Sequence, residues 1–576
     1  MDQQEIYNIY QKWCADPHID AETRRELKAL EGDEAEIRDR FYKALDFGTG
    51  GLRGVLGAGT NRMNIYTVRQ ATQGLADYIL SMGGQDKGVA IAYDSRRMSP
   101  EFAQEAALCL NANGIRTYRF ESLRPTPELS FAVRHLGCIA GIVITASHNP
   151  REYNGYKVYW EDGAQILPPH DRGIMDHVKR IIDFSQVKTM CQADAETQGL
   201  YHVIGNEIDK IDELYMEQLK KQSVHPEVIR EMAGDMKIVY TPLHGSGNLP
   251  VRRVLRELGF TKVYVVPEQE APDGTFPTVA YPNPEDAHAW TLALKLAREV
   301  DADLVLATDP DADRLGVYVK DKDGSDYISF TGNMSGVLIG EYLLREKQKM
   351  GALPEDSALV ETIVTTDMLK AVAREYGAAV VEVLTGFKYI GEQIRFFKES
   401  RRYSYVFGME ESYGCLAGTY ARDKDACVAV MLLCEVAAYH KKQGQTLWDA
   451  MLGLYERYGF YKEGLETVTL KGMDGAEKIR QRMRHLREEP PRELGGHKVL
   501  AIRDYQADRR VDMQTGAAAP TGLPASDVLY YELEEDAWCC VRPSGTEPKI
   551  KYYFGVKGGS MEDADFQLER LKRDLL

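Results

Sequence analysis

Short, β-branched apolar runs that stop abruptly in polar loops recur along this 576-residue chain, and they constrain its fold more than any other feature. Gly141-Ile142-Val143-Ile144 reads as a buried strand and runs into Thr145-Ala146-Ser147-His148-Asn149-Pro150. Leu304-Val305-Leu306-Ala307 has the same character and runs into Thr308-Asp309-Pro310-Asp311-Ala312-Asp313-Arg314. Such runs alternate with segments of helical spacing, the pattern of an α/β architecture. In open α/β sheets, the loops at strand ends build the sites.

The alternation can be followed in blocks. Residues 1–45 read as helical and charged, and Gly48-Thr49-Gly50-Gly51-Leu52-Arg53-Gly54 as a glycine-rich loop. A strand over 88–93 and a helix over Pro100–Asn113 precede the strand that ends at Ser147. A second block predicts strands at Met236–Tyr240, Lys262–Val266 and Leu304–Ala307, with helices at 250–258 and 286–299. A third predicts strands at Ala358–Val364, Val380–Val383 and Tyr403–Phe407, with helices at 367–375 and 424–441. The tail differs. A charged helix over 475–488 and a Gly-, Ala- and Pro-rich loop over 509–526 precede strands at Val528–Tyr531, Ala537–Val541 and Ile550–Phe554 and a final helix. The expected fold class is α/β. It comprises three similar α/β domains with mixed sheets at 1–205, 206–325 and 326–455, and a smaller C-terminal α+β domain at 456–576. The length fits, since a chain this long exceeds one core.

A net charge of −17 argues against a nucleic-acid or anionic-membrane partner, both of which need a basic face. An anionic substrate must then be held by local Arg and Lys. The longest apolar runs, Cys138–Ala146 and Ala426–Cys434, fall short of the ~18 residues of a membrane helix. The N-terminus, Met1-Asp2-Gln3-Gln4-Glu5, is acidic, with no apolar signal region behind it. The cysteines at 14, 109, 138, 191, 415, 427, 434, 539 and 540 form no CxxC pair and read as free thiols packed in cores. Cytoplasmic residence is the expectation, and the sequence sets no oligomeric state.

Four loops carry the chemistry. Ser147 sits at a strand end as a candidate nucleophile; its alternative is a turn or cap serine before proline. A serine hydroxyl needs a base, or must already carry phosphate, which would bring a charge near −2. Asp309, Asp311 and Asp313 alternate, and on an extended segment a period of two projects all three to one side. An oxygen-only set means a hard cation, Mg²⁺ or Ca²⁺. An EF-hand is excluded, because its glycine position holds Arg314 and its glutamate position Lys320. Mg²⁺ fits better, being commonly held by carboxylates plus a phosphate oxygen, which phospho-Ser147 could supply. The alternative is a solvated acidic turn. In Met409-Glu410-Glu411-Ser412-Tyr413-Gly414, Glu410 and Ser412 share a face by the same period and suit a pair of sugar hydroxyls, with a capped helix start as the alternative. Arg542-Pro543-Ser544-Gly545-Thr546 combines a guanidinium, two hydroxyls and a glycine, as a phosphate cradle or a surface turn.

These motifs, with Gly48–Arg53, Thr241–Gly247 and Thr385-Gly386-Phe387-Lys388, resemble the α-D-phosphohexomutase superfamily, most closely its α-phosphoglucomutase branch. They span residues 46 to 555 in the family's order. The resemblance implies four domains around a central cleft and an active form phosphorylated on Ser147. It implies one Mg²⁺ held by Asp309, Asp311, Asp313 and the Ser147 phosphate. Lys157, in Asn154-Gly155-Tyr156-Lys157, matches the family's acid/base lysine, and Arg53 and His148 match its helpers. Arg314 and Lys388 match substrate-contacting positions, and Glu410 and Ser412 the sugar-hydroxyl pair. Arg542, Ser544, Gly545 and Thr546 match the distal phosphate site, where Lys551 takes a place often held by Arg.

The implied reaction interconverts glucose 1-phosphate and glucose 6-phosphate. Phospho-Ser147 gives its phosphoryl group to a hexose monophosphate, the resulting glucose 1,6-bisphosphate turns end for end, and the other phosphate returns to Ser147. The expected partners are small sugar phosphates, with glucose 1,6-bisphosphate as intermediate and activator. Alternatives within the resemblance are phosphopentomutase, phosphomannomutase and glucose 1,6-bisphosphate synthase. A non-catalytic sugar-phosphate-binding paralogue would need a broken catalytic loop, and none is broken.

Overall fold

The computed structural model describes residues 2–45, 51–205, 210–324, 326–470, 473–544 and 549–576. A helical N-terminal segment leads into the first sheet, built from Gly51–Val55 (β1), Val89–Tyr93 (β2), Thr117–Phe120 (β3), Ala140–Ile144 (β4), Tyr153–Trp160 (β5) and Tyr201–Ile204 (β6). Its strand order is β1-β5-β4-β2-β3-β6. The second sheet holds Lys237–Thr241 (β7), Lys262–Val265 (β8), Leu304–Thr308 (β9), Leu315–Lys320 (β10) and Tyr327–Phe330 (β11), in the order β11-β10-β9-β7-β8. The third holds Ser357–Thr362 (β12), Ala379–Val383 (β13), Ser404–Glu410 (β14) and Gly414–Ala417 (β15), in the order β13-β12-β14-β15.

One topology is repeated three times. In each unit a first strand pairs in parallel with a second and a third: β2 with β3 and β4, β7 with β8 and β9, β12 with β13 and β14. The third then pairs antiparallel with a fourth, giving β4–β5, β9–β10 and β14–β15. The turn between third and fourth strands is where three of the four predicted chemical loops fall. Parallel strands buried on both faces need continuous apolar runs, and β2, β4 and β9 are buried along their whole length. The sheets are mixed, as expected of the fold class.

The fourth unit is an antiparallel sheet of Phe460–Thr469 (β16), Glu493–Leu494 (β17), His497–Asp504 (β18), Arg509–Asp512 (β19), Ala518–Ala519 (β20), Leu529–Leu533 (β21), Trp538–Pro543 (β22) and Lys549–Gly558 (β23), closed by the helix Met561–Leu575. Two expectations are corrected. The segment 509–526 is not all loop, since β19 and β20 extend the sheet within it. Gly51–Gly54 is not loop either, because β1 pairs with β5 there, with Arg53 opposite Gly155. The earlier part of that motif, Gly48–Gly50, lies outside the described residues.

One apolar core runs through the three α/β units, from Ala90 in β2 through Tyr240 and Leu306 to Phe407 and the helix Ala426–Lys442. The fourth unit docks on the third through a smaller cluster in which Ile363, Val364 and Leu384 meet Tyr530, Trp538 and Tyr553. Arg503 on β18 pairs with Glu382 on β13 at 3.2 Å beside it. Seven of the nine cysteines are buried free thiols, but Cys191 is exposed and Cys14 only half-buried, so the core reading fails for those two.

Gly155 shows how tightly the site's scaffold is built. A Cβ there would lie 2.4 Å from the Thr145 carbonyl oxygen and 2.9 Å from that of Leu52. Gly155→Val should therefore push β1 and β4 apart and cost about 1–3 kcal/mol, read as a lowered denaturation midpoint together with a fall in kcat. A variant with wild-type stability and activity would show that this close approach is not needed.

Candidate active site

Four loops from four sheets face one cleft of about 1180 Å³. The first begins where β4 ends. Ser147 has a φ of 52°, in the left-handed region, and this turn aims its hydroxyl toward the second unit. Ser147 Oγ donates to Asp309 Oδ2 at 2.9 Å and lies 3.1 Å from His148 Nδ1. Burial, together with the charges of Arg314 and Arg53, holds the His148 imidazole well below its ordinary pKa, so it is neutral at pH 7.

Two residues that the sequence reading missed hold this turn in place. Arg96 donates to the carbonyls of Ser147 (2.6 Å), Pro150 (2.8 Å), Tyr153 (3.1 Å) and Asn149. Asp94 accepts from Thr145 Oγ1 at 2.7 Å, and Thr145 Oγ1 accepts from the Ser147 amide at 2.8 Å. The two side chains are fully buried and pair at 3.3 Å. The signal was present in Asp94-Ser95-Arg96 directly after β2, the same strand-end position as the other loops.

The second loop gathers Asp309, Asp311 and Asp313, whose oxygens lie within 4.8 Å of one another. The predicted convergence is observed, but not for the predicted reason. Residues 310–312 form a turn, with Ala312 at a φ of 51°, rather than an extended segment. All three carboxylates are buried, which excludes a solvated acidic turn. Burial pushes Asp309 well above the ordinary carboxyl range, and the Asp313 and Asp311 charges push it further. Lys157 on β5 donates to Asp311 Oδ2 at 2.8 Å and lies 3.5 Å from Asp313 Oδ2; Lys424 reaches Asp313 Oδ2 at 2.9 Å. Burial opposes the Asp313 charge, yet Lys424 and Lys157 hold its carboxyl below the ordinary range. Oδ1 of Asp311 and Oδ1 of Asp313 remain buried without a hydrogen-bond partner. Buried oxygens with no donor, on carboxylates that repel one another, fit a hard divalent cation.

Thr241–Gly247 lies beneath this loop rather than in the cleft. Ser246 donates through its amide (2.8 Å) and its hydroxyl (2.9 Å) to the Pro310 carbonyl, and a Cβ on Gly245 would come 2.5 Å from Pro310 Cα.

The third loop closes the cleft from the third unit. Glu410 ends β14 and is not a helix start; its Oε1 accepts from the Gly386 amide at 2.9 Å. Glu411 and Ser412 line the cleft beside it, and burial lifts the Glu411 carboxyl to about 7. Lys388, in the first turn of the helix Phe387–Ser400, also lines the cleft, and burial lowers its ammonium to about 8. Arg314 pairs with Glu285 at 2.6 Å on the opposite wall.

The fourth loop follows β22. Arg542 stands directly opposite Lys551 in the β22–β23 ladder. Like charges facing each other across strands are unfavourable, and burial and Arg542 both lower the Lys551 pKa. An anion relieves that conflict. Ser544 joins them in the cleft wall, while Gly545 and Thr546 lie outside the described residues. Arg53 lines the cleft's first-unit rim, donating to Asn149 Oδ1 at 3.0 Å. The cleft thus gathers Arg53, Ser147, His148, Lys157, Asp313, Arg314, Lys388, Glu410, Ser412, Arg542, Ser544 and Lys551, with Asp309 and Asp311 buried beneath Ser147 and Lys157.

Comparison with known proteins agrees with this arrangement. Family models described as phosphoglucomutase/phosphomannomutase, alpha/beta/alpha domains I, II and III match residues 44–184, 213–324 and 331–458. The chain belongs to the phosphoglucomutase/phosphomannomutase family. A phosphoglucomutase from Staphylococcus epidermidis is 38% identical over 521 residues, covering 90% of this chain and 92% of its own. One from Staphylococcus aureus is 35% identical over 537 residues, covering 92% and 93%. Solved structures share the fold. A phosphoglucomutase/phosphomannomutase family protein from Burkholderia thailandensis has a TM-score of 0.64 at 20% identity, covering 92% of this chain and 96% of its own. The open form of Paramecium parafusin has a TM-score of 0.67 at 16% identity, covering 92% and 94%.

Two predictions follow from this family member's own geometry. Arg96→Met leaves Asp94 buried without its charge partner and frees four loop carbonyls; it should cost about 3–5 kcal/mol in denaturant unfolding and lower kcat. An unchanged midpoint would remove Arg96 from its bracing role. Lys388 contributes a cation to the cleft only while protonated, and a bound phosphate favours that form. The dissociation constant for a phosphate-bearing ligand should therefore rise above pH about 8, by up to about tenfold per pH unit. The rise should vanish in Lys388→Arg, and its survival there would exclude Lys388 as its source.

Proposed function

We propose that this chain is a phosphoglucomutase that interconverts α-D-glucose 1-phosphate and glucose 6-phosphate through phospho-Ser147 and a glucose 1,6-bisphosphate intermediate. The observation that carries the reading is the convergence of four loops on one cleft, with Ser147 Oγ on Asp309 at one end and the facing Arg542 and Lys551 at the other. The four functional domains are taken as 1–205, 206–325, 326–455 and 456–576. Free thiols suit a reducing compartment, and cytoplasmic residence is part of the proposal. No helix among the described residues is long and apolar enough to cross a membrane.

Each residue then has a role. Ser147 carries the phosphoryl group that is transferred. Asp309, Asp311 and Asp313, with the Ser147 phosphate, would hold one Mg²⁺, which when bound neutralises charge on the transferring phosphoryl group. Lys157 moves the proton of the attacking or leaving sugar hydroxyl, and neutral His148 and Arg53 orient the groups around Ser147. Glu410 and Ser412 grip two ring hydroxyls in either orientation of the sugar. Arg542, Ser544, Gly545, Thr546 and Lys551 hold the phosphate that is not reacting, assisted by Arg314 and Lys388. Because the intermediate turns end for end, that cradle serves both ends of the sugar. Catalysis is mostly positioning and charge neutralisation.

A coupled assay on three substrates tests the reading. Glucose 1-phosphate should exceed mannose 1-phosphate and ribose 1-phosphate in kcat/KM. Glu410→Ala should lower turnover in both directions by roughly 10- to 150-fold, the worth of charge-assisted hydrogen bonds. Higher kcat/KM on ribose 1-phosphate would make the protein a phosphopentomutase, and on mannose 1-phosphate a phosphomannomutase. No turnover of any of the three would leave a sugar-phosphate-binding protein.

A further inference from the structure

A second cavity, of about 600 Å³, opens between the first and third α/β units, away from Ser147. Arg134 and Arg422 line it, and among the described residues neither forms an ion pair with a carboxylate. Their N–H groups go to backbone carbonyls instead. Arg134 donates to Tyr420 O at 3.1 Å and Asp162 O at 2.8 Å, and Arg422 donates to Thr419 O at 2.6 Å and Ala421 O at 2.9 Å. Arg422 is only 2% exposed, and its Nε is buried with no hydrogen-bond partner. Backbone clamping would explain one such arginine. It does not explain a buried Arg422 with a stranded donor set beside a half-buried Arg134, since like charges brought together out of water are costly. Their mutual effect is felt: burial first, and then the Arg134 charge, lower the Arg422 guanidinium to about 9.

The rest of the lining is mixed: Arg395 and Lys398 add cations, and four carboxylates outnumber them. Asp162 and Glu392 contribute carboxylates, and the Trp160 ring lies at the wall, stacked on His170 at 4.3 Å. Such a rim would repel a bare polyanion, but its carboxylates accept hydrogen bonds from hydroxyl groups. An occupant with phosphate at one end and hydroxyls along its body satisfies both halves.

The cavity is also mechanically joined to the cleft. Gln165 lines both spaces. The helix Phe387–Ser400 places Arg395 on the cavity and Lys388 on the cleft. The same helix is seated hard on Arg422: a Cβ on Gly391 would lie 2.5 Å from the Arg422 carbonyl oxygen. We propose that this cavity is a regulatory site for a phosphorylated sugar, held by Arg134 and Arg422, whose occupancy shifts the Phe387–Ser400 helix and with it Lys388.

The test uses fructose 6-phosphate, with phosphate at one end and hydroxyls along its body, as probe and calorimetric binding as readout, so it stands or falls apart from the assignment of the reaction. In Arg542→Gln protein, with the cleft cradle weakened, the probe should still bind one equivalent. Adding Arg134→Gln should weaken that binding at least about tenfold. Arg395→Gln, on a side chain 42% exposed and tolerant of change, should weaken it several-fold even if the variants at Arg134 or Arg422 fail to fold. In otherwise wild-type protein, the probe should shift KM for glucose 1-phosphate, and Arg134→Gln should remove that shift while leaving the basal rate unchanged. Loss of all probe binding in Arg542→Gln alone would overturn the site. Binding indifferent to both Arg134→Gln and Arg395→Gln would overturn it equally. Cavity binding without any effect on KM would overturn its regulatory role.

Discussion

Three buried carboxylates that repel one another are the constraint on which the rest of the structure depends. Asp309, Asp311 and Asp313 sit within 4.8 Å on one turn of the second unit. Lys157 comes from the first unit and Lys424 from the third to neutralise them. Thr126 of the first unit donates to the Asp311 carbonyl and carboxylate, both at 2.9 Å, and the Leu315 amide bonds the Tyr413 carbonyl of the third at 2.9 Å. Charges this close at low dielectric must be balanced. Both lysines reach the carboxylates only when all three units are docked.

The repeated topology explains how three chemistries share one scaffold. In each unit the end of the first strand or the segment just after it braces the loop after the third. Arg96 follows β2 and holds the Ser147 turn. Ser246 follows β7 and holds Pro310 in the carboxylate turn. Thr362 ends β12 and donates to Glu411 Oε2 at 3.2 Å. The bracing groups differ as widely as a guanidinium and a hydroxyl, so the shared geometry leaves no matching letters in the sequence.

The amino-acid sequence made the parallel strands and their terminal loops legible, because fully buried strands need unbroken apolar runs and the chemistry sits directly at their ends. It did not make β1 or β5 legible. Both are polar and glycine-bearing where Gly155 lets the strands approach closely. It missed Asp94, Arg96 and Lys424, since a single charged residue carries no periodic signal and its meaning depends on what folds against it. It placed the three aspartates correctly while mistaking a turn for an extended segment, because either geometry puts alternate residues on one side over so short a span. The facing of Arg542 and Lys551 was hidden for another reason: only the β22–β23 register sets them opposite each other.

The central claim is that one hydroxyl, Ser147, is the station through which phosphate passes. Incubation with glucose 1,6-bisphosphate labelled in both phosphates, followed by phosphopeptide mapping, tests it most directly. The account predicts label on the peptide containing Ser147, discharged when unlabelled glucose 1-phosphate is added, and no label in Ser147→Ala protein, whose turnover should fall at least ~10³-fold. Stable label on any other residue, or full turnover without label on Ser147, would contradict it.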